Sequence, residues 1–98
     1  MSTVVVQYRT KSDRSDENQS LIEAVFAELA EQDPGGVRYA AWRLEDGTFV
    51  HIADVDADPN PLGEIGAFAA FQAEIGDRCE PDEGPNPRHA TLVGSYGM

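Results

Sequence analysis

The chain has 98 residues, with 18 acidic against 7 basic side chains and a formal net charge of −11. This length predicts a single domain over residues 1–98 with one modest core, and a hydrophobic content of 41% excludes a disordered chain. The negative charge disfavours nucleic acid and anionic membrane surfaces as partners, and no apolar run reaches the length of a membrane span.

The first two predicted elements are a strand and a helix. Residues 3–9 are β-branched, aromatic and apolar on both faces, which is typical of a central strand. Ser15 is a favourable N-cap ahead of two acidic residues, so a helix is expected over 16–32. The helix should end at the Asp-Pro-Gly-Gly run of 33–36. Its apolar positions recur at helical spacing: Leu21, Ile22, Val25, Phe26 and Leu29.

The middle of the chain predicts a β-hairpin. Residues 37–44 and 48–55 are strand-like, and the Asp-Gly pair at 46–47 between them favours a tight turn. A two-residue turn would pair Trp42 with His51 across the strands. A slip of one residue would exchange the faces on which these side chains lie, because the strand period is two.

The remaining chain predicts a second helix and a last strand. Residues 62–78 follow a helical pattern whose regular part begins near Ala67, since two glycines weaken its first turn. A proline-rich loop is expected over 80–88 and a strand over 89–96. The predicted buried stripe of the second helix consists of Ile65, Phe68, Phe71 and Ile75.

The element order β-α-β-β-α-β predicts a ferredoxin-like α+β fold, in which a four-stranded antiparallel sheet carries two helices on one face. The other face of such a sheet is normally polar when it is solvated. Here it is expected to carry large apolar groups, namely Val5, Trp42, Phe49 and Val93. We therefore expect a homodimer that packs sheet against sheet.

These features together resemble the antibiotic biosynthesis monooxygenase-like family of dimeric α/β barrels. The resemblance rests on a pattern of elements across nearly the whole chain: the VVVQYR strand at 4–9, the LIEAVF helix at 21–26, the FVHIADV strand at 49–55, the FAAFQ helix at 68–72 and the VGSY strand at 93–96. It implies an uncharacterised small-molecule-binding protein that acts as a cofactor-independent monooxygenase on phenolic or quinol-like compounds. The alternative is a non-catalytic homodimer that binds a small apolar ligand or a partner protein.

The chain departs from the catalytic members of that family at two positions. Their second long helix often carries a histidine, whereas 67–71 reads Ala-Phe-Ala-Ala-Phe. Their tryptophan in or after the third strand is missing here, since Trp42 lies on the second predicted strand. Haem breakdown is therefore not expected, and no cofactor is predicted.

His51 and Trp42 are the most suggestive pair of side chains. As predicted neighbours they would place a titratable imidazole beside a large aromatic ring. His51 could then serve as the general base that removes a phenolic proton, with Trp42, Tyr39 and Phe68 shaping the pocket. The competing interpretation is that His51 packs at a dimer interface. Tyr8 and Tyr96 are further candidate hydroxyl donors.

No metal site is predicted. The acidic run at 54–60 imitates the start of a calcium loop, but Pro59 stands where glycine is needed and Ile65 where a glutamate is needed. Cys79 is the single cysteine and cannot form an intrachain disulfide, so the expected compartment is the reducing cytoplasm. Because Cys79 follows a predicted helix C-terminus, it is interpreted as a structural thiol.

Overall fold

The computed structural model describes residues 2–97 and contains a four-stranded antiparallel sheet in the order β2-β3-β1-β4. Its helices cover one face, which confirms the predicted ferredoxin-like α+β fold. The strands are β1 (Ser2–Arg9), β2 (Val37–Arg43), β3 (Thr48–Val55) and β4 (Asn86–His89); the helices are α1 (Ser15–Gln32), α2 (Gly66–Gln72) and α3 (Ile75–Arg78), with a 3-10 turn at Pro61–Glu64.

Helix α1 begins one residue before the predicted start and ends where predicted. The cap position belongs to Arg14, which makes no side-chain capping bond. Ser15 is instead buried and donates from Oγ to the backbone oxygen of Lys11 at 3.1 Å. At the other end Asp33 adopts the left-handed conformation, with φ of 48°, and its N–H donates to Leu29. The predicted stop is thus correct, and the left-handed position at the helix end, where glycine is most common, is occupied by the aspartate of the 33–36 run.

The hairpin between β2 and β3 contains a three-residue loop, so the predicted two-residue turn is wrong. The N–H of Gly47 donates to the oxygen of Leu44 at 3.2 Å, and Gly47 has a φ of 89°. Hairpin loops of three residues commonly consist of a tight turn followed by a residue in the left-handed conformation, which is often glycine. The register consequently shifts by one residue: Ala41 pairs with His51, and Trp42 pairs with Val50.

The second helical region is broken rather than continuous over 62–78. Helix α2 ends at Gln72, Glu74 adopts a φ of 60°, and α3 then begins at Ile75. The break leaves carbonyl oxygens at the end of α2 without a helical partner. Arg78 takes them: its guanidinium donates to the oxygens of Phe71 at 2.6 Å and Ala73 at 3.1 Å.

The last strand lies earlier in the chain than predicted. Strand β4 pairs with β1 through the register Val4–His89 to Gln7–Asn86, so the prediction of a strand over 89–96 is wrong. Residues 90–97 are assigned to no strand or helix in the described structure. Three of their side chains are exposed, at 70% for Leu92 and 100% for both Val93 and Tyr96.

The two faces of the sheet differ in burial. The inner face packs on the helices around a core of Tyr8, Ile22, Val25, Phe49, Leu62, Ile65, Phe71 and Cys79. Phe49 is therefore a core residue, which corrects its predicted place on the opposite face. That opposite face, called the outer face below, carries Val5, Ala40, Trp42, Val50 and Ile52, as the strand register requires.

Candidate functional site

A cavity of about 800 Å³ lies between the inner face of the sheet and the α2–α3 region. This volume is in the range of small-molecule sites in proteins. Strands β1 and β3 contribute Val4, Val6, His51 and Ala53 to one wall, because alternate residues of a strand share a face. Phe68, Phe71 and Ile75 form the facing wall. The exposed residues Asp58, Asn60 and Gln72 also line the cavity.

His51 is the central polar group of the cavity and is only 4% exposed. Its Nε2 lies 2.8 Å from the Tyr8 hydroxyl oxygen, and its Nδ1 lies 2.7 Å from that of Tyr39. Burial lowers the pKa of His51 to about 4, so the imidazole is neutral at pH 7. Burial also raises the pKa of Tyr39 to about 12 and that of Tyr8 further, so both phenols keep their protons.

Aromatic rings hold the imidazole in place. His51 stacks on Phe71 with ring centroids 5.3 Å apart and on Tyr8 at 5.4 Å. The ring of Tyr39 is edge-on to that of Phe68, with centroids 6.3 Å apart, and it packs against the ring of Phe26 with centroids 5.0 Å apart. Stacked and edge-on rings restrict one another's rotation, so the histidine and both tyrosines are presented in a fixed geometry.

Two further polar residues, Asn18 and Arg78, extend the hydrogen-bond chain into the core. Asn18 has no exposed surface and Arg78 is 2% exposed. Arg78 Nε donates to Asn18 Oδ1 at 3.0 Å, and Asn18 Nδ2 donates to the hydroxyl oxygen of Tyr8 at 3.0 Å. A continuous chain therefore runs from Arg78 through Asn18, Tyr8 and His51 to Tyr39.

The sequence analysis did not identify Asn18 and Arg78 as site residues, although the spacing of both from apolar residues indicates that they are buried. Asn18 continues the buried stripe of α1 formed by Ile22 and Val25, at spacings of four and three residues. Arg78 likewise follows Ile75 by three residues at the end of the predicted second stripe. A polar side chain that lies in register with an apolar stripe is buried, and a buried polar group requires a partner.

The structure brings together three of the four predicted site residues: His51, Tyr39 and Phe68 all line the cavity, and Tyr8 joins them. Trp42 does not share their face, because the one-residue shift in register places it on the outer face, where it is 42% exposed. Its predicted contact with His51 is therefore wrong. Tyr96 is fully exposed in the C-terminal segment.

Two arginines at the strand ends and the single thiol have structural surroundings that account for them. Arg43 pairs with Asp16 on α1, and Arg9 pairs with Glu83. Cys79 is buried in the core, and burial raises the pKa of its thiol, which disfavours the reactive thiolate.

Within residues 2–97, no group of three or more histidine, cysteine or acidic side chains is arranged to hold a metal ion. The same residues include no helix that is both long enough and apolar enough to span a membrane.

Comparison with known proteins gives matches in structure alone. No protein-family model and no curated protein matches the chain. A candidate antibiotic biosynthesis monooxygenase from Nitrosomonas europaea superposes with a TM-score of 0.72 at 13% identity, covering 96% of this chain and all of the other. A second structure, named antibiotic biosynthesis monooxygenase, gives a TM-score of 0.69 at 20% identity, with coverage of 96% and 100%.

A third solved structure is SnoaB from Streptomyces nogalater, which is named a cofactor-independent oxygenase. It superposes with a TM-score of 0.65 at 16% identity and covers 99% of this chain and 97% of its own. Identities at this level establish a shared fold and not a shared activity. The predicted resemblance is thus confirmed in its architecture: the chain has the fold of solved structures that are named antibiotic biosynthesis monooxygenases.

Proposed function

We propose that the cavity binds a phenolic or quinol-like small molecule and that the protein is a cofactor-independent monooxygenase. The observation that supports this most directly is the His51–Tyr39 pair in a cavity with apolar walls. Apolar walls with a few convergent polar groups are typical of sites that bind a flat, largely hydrophobic ligand and orient one of its oxygens. The fold shared with SnoaB, itself named a cofactor-independent oxygenase, is consistent with the proposal.

The proposed chemistry needs no external reductant, because the substrate itself supplies the electrons. Oxidation of a phenol to a quinone replaces a ring C–H by C=O: one atom of O₂ enters the ring and the other leaves as water. The ring C–H and the phenolic O–H provide the two hydrogens of that water. Atoms and electrons balance between one phenol and one O₂, which become one quinone and one water.

His51 is proposed to act on the ligand through Tyr39. Both ring nitrogens of His51 lie within hydrogen-bond distance of tyrosine hydroxyls. The hydroxyl of Tyr39 is therefore the group through which the imidazole can influence a ligand oxygen, while Phe68 and Phe71 offer faces for the ring.

The proposal is tested by replacing Tyr39 with phenylalanine. Tyr39→Phe removes one hydroxyl and keeps the ring, so we expect about tenfold weaker binding of 1-naphthol and slower oxygen uptake, with the fold retained. Binding is measured by calorimetry, and turnover by an oxygen electrode with mass analysis of the naphthoquinone product. Tyr96→Phe removes the same atom from an exposed tyrosine and should change neither value.

Two results would contradict the proposal. If neither wild-type binding nor oxygen uptake is detected with a series of phenols and quinols, the protein is not an oxygenase of this class. If Tyr39→Phe and Tyr96→Phe behave alike in an active protein, the cavity is not the site.

The non-catalytic alternative has its own supporting observation. The outer face exposes Trp42 at 42% and Ile52 at 36%, and apolar side chains of this size on a sheet favour contact with a second chain. Replacing His51 with alanine separates the two functions. Lost turnover in a variant that stays folded supports the enzyme, whereas lost stability in a protein without turnover supports packing alone.

A further inference from the structure

The hydrogen-bond chain behind the cavity has a direction that is fixed at its buried end. A guanidinium carries only donors, so the Asn18 atom that faces Arg78 Nε at 3.0 Å must be the amide oxygen. The amide nitrogen of Asn18 consequently faces Tyr8 and donates to its hydroxyl oxygen at 3.0 Å. Arg78 is itself held by the carbonyl oxygens of Phe71 and Ala73, so the orientation of Asn18 is set by the helix break.

The hydroxyl hydrogen of Tyr8 then determines the tautomer of His51. Tyr8 is 3% exposed, and His51 Nε2 lies 2.8 Å from its hydroxyl as an acceptor. If Nε2 carried the hydrogen instead, Tyr8 would accept two bonds and its own buried O–H would lose this partner, which is unfavourable. Tyr8 therefore donates to Nε2, and the single hydrogen of the neutral imidazole resides on Nδ1.

The last bond follows from the tautomer. His51 Nδ1–H donates to the hydroxyl oxygen of Tyr39 at 2.7 Å, so the hydrogen of that hydroxyl is not used in this bond. Tyr39 lines the cavity, where a ligand can accept that hydrogen.

We propose that Asn18, oriented by Arg78, directs the hydrogen bonds through Tyr8 and His51 so that Tyr39 donates into the cavity and selects ligands with an unprotonated oxygen. Such an oxygen is the carbonyl of a ketone or quinone, or the oxygen of an ionised phenol. The inference rests on the proposed function, because it requires that the cavity binds an aromatic molecule. Asn18 and Arg78 are positioning residues in this scheme.

The scheme also refines the role of His51. A general base must accept the phenolic proton, yet the resting chain offers a hydrogen at Tyr39 and occupies Nε2 with Tyr8. A neutral phenol can accept from Tyr39, but its own hydrogen then faces apolar walls without a partner. A phenol that has already released its proton to solvent has no such hydrogen, and an ionised phenol is also the form that gives up electrons to O₂.

Asn18→Asp replaces the amide nitrogen by an oxygen, and this should reverse the direction of every hydrogen bond from residue 18 to Tyr39. In Asn18→Asp a carboxylate faces both Arg78 and Tyr8 and can only accept. Tyr8 would then donate to residue 18 and accept from His51 Nε2–H, and Tyr39 would donate to Nδ1. The cavity would consequently offer an acceptor, which suits a neutral phenol.

The first measurement is the tautomer of His51 in the ligand-free protein, obtained from nitrogen-15 NMR of the histidine rings. We expect the hydrogen on Nδ1 in the wild-type protein and on Nε2 in Asn18→Asp. His89→Gln assigns the signals, because His51 and His89 are the two histidines of the chain. The wild-type spectrum is decisive by itself: a hydrogen on Nε2 overturns the proposal even if the Asn18→Asp protein does not fold.

The second measurement compares 1-tetralone, a ketone, with 1-naphthol, a phenol of similar size that is not ionised at pH 7. We expect the wild-type protein to prefer the ketone, and Asn18→Asp to shift the ratio of the two dissociation constants about tenfold towards the phenol. Asn86→Asp adds the same charge at an exposed site on β4 and should leave the ratio unchanged. An equal ratio in all three proteins overturns the proposal.

The two measurements separate this proposal from the proposed function. If the tautomers are as expected but neither probe nor any other aromatic compound binds, the proposed function fails while the assigned direction of the hydrogen bonds stands. If both probes bind and the tautomer is Nε2–H, the small-molecule function stands and the inference fails.

Discussion

Burial of an imidazole is tolerated when both of its nitrogens are paired, and His51 meets this condition between Tyr8 and Tyr39. The buried arginine obeys the same rule with different partners. Arg78 is 2% exposed, and each of its three guanidinium nitrogens donates one bond, to the backbone oxygens of Phe71 and Ala73 and to the amide oxygen of Asn18. Each polar side chain of this hydrogen-bond network thus depends on its neighbours, so that removing one leaves another unpaired.

The buried histidine makes stability depend on pH. Its pKa is about 4 in the folded protein against an ordinary value of 6.5, so between these values the unfolded chain holds a proton that the folded one does not. Stability should therefore fall as the pH is lowered from 6.5 to 4, by as much as about 3 kcal/mol from this group. Urea midpoints at pH 7 and pH 4.5 measure the loss.

A pair of variants isolates the contribution of His51 to this pH dependence. His51→Gln should show a smaller loss between the two pH values than the wild-type protein, whereas His89→Gln, at an exposed site, should show the full loss. Equal losses in the wild-type protein and in His51→Gln would contradict the assigned pKa.

Among the elements, the hairpin loop affects the site most, because its length determines which side chains of β2 face the cavity. Gly47 has a φ of 89°, and a Cβ atom at this position would lie 3.2 Å from the oxygen of Thr10 and 3.4 Å from Ser15 Oγ. The loop therefore touches the segment that joins β1 to α1, and a side chain at 47 is disfavoured by both conformation and space.

Gly47→Ala should destabilise the protein by about 1–3 kcal/mol, since it forces a side chain into a backbone conformation that glycine alone adopts easily. Urea denaturation measures the change. Gly35→Ala is the matched control, because a Cβ atom there would meet no atom within 4 Å, and it should change stability little. A similar small effect at both positions would show that the loop tolerates a different turn.

The elements were predictable to different extents for physical reasons. The period of apolar residues defined α1 and the first three strands, because burial on one face is a local pattern. The break between α2 and α3 could not be predicted in this way. It is stabilised by Arg78, which contacts carbonyl oxygens that only the break exposes. Strand β4 was placed too late because it contains three polar residues and a proline, and its pairing with β1 is a long-range contact.

The candidate site was predictable in part. His51, Tyr39 and Phe68 were found because chemistry-bearing and aromatic residues are conspicuous in a small sequence. Their assembly with Trp42 was wrong, since Asp-Gly is compatible with loops of two and three residues and the two choices exchange faces. Asn18 was overlooked because its partner, Arg78, is 60 residues away in the chain.

The molecule as a whole combines a large negative charge with an outer face that exposes large apolar side chains. Two chains of charge −11 repel each other, so a homodimer must be held by apolar contact. Trp42 and Ile52 on the outer face, together with Val93 and Tyr96 in the C-terminal segment, present apolar surface that a single chain leaves exposed.

We therefore expect native mass spectrometry to give about 21 kDa, twice the chain mass of 10.6 kDa. Ile52→Glu places a charge at the centre of the outer face and should yield monomers that keep the fold, as checked by circular dichroism. Ala27→Glu, on the exposed side of α1, should remain dimeric. A wild-type monomer at micromolar concentration, in low and in moderate salt, would contradict the dimer.

The length of the hairpin loop has a consequence for how such a protein diversifies. Strand β3 is fixed by β1, so a change from the three-residue loop at 45–47 to a two-residue loop at 46–47 would bring Glu45 into the hairpin and re-register β2 alone. Tyr39 would turn away from His51, and Trp42 would turn towards it. A change of turn type in the loop would thus exchange the aromatic group beside the histidine and alter the ligand contact while every residue of both strands stays the same.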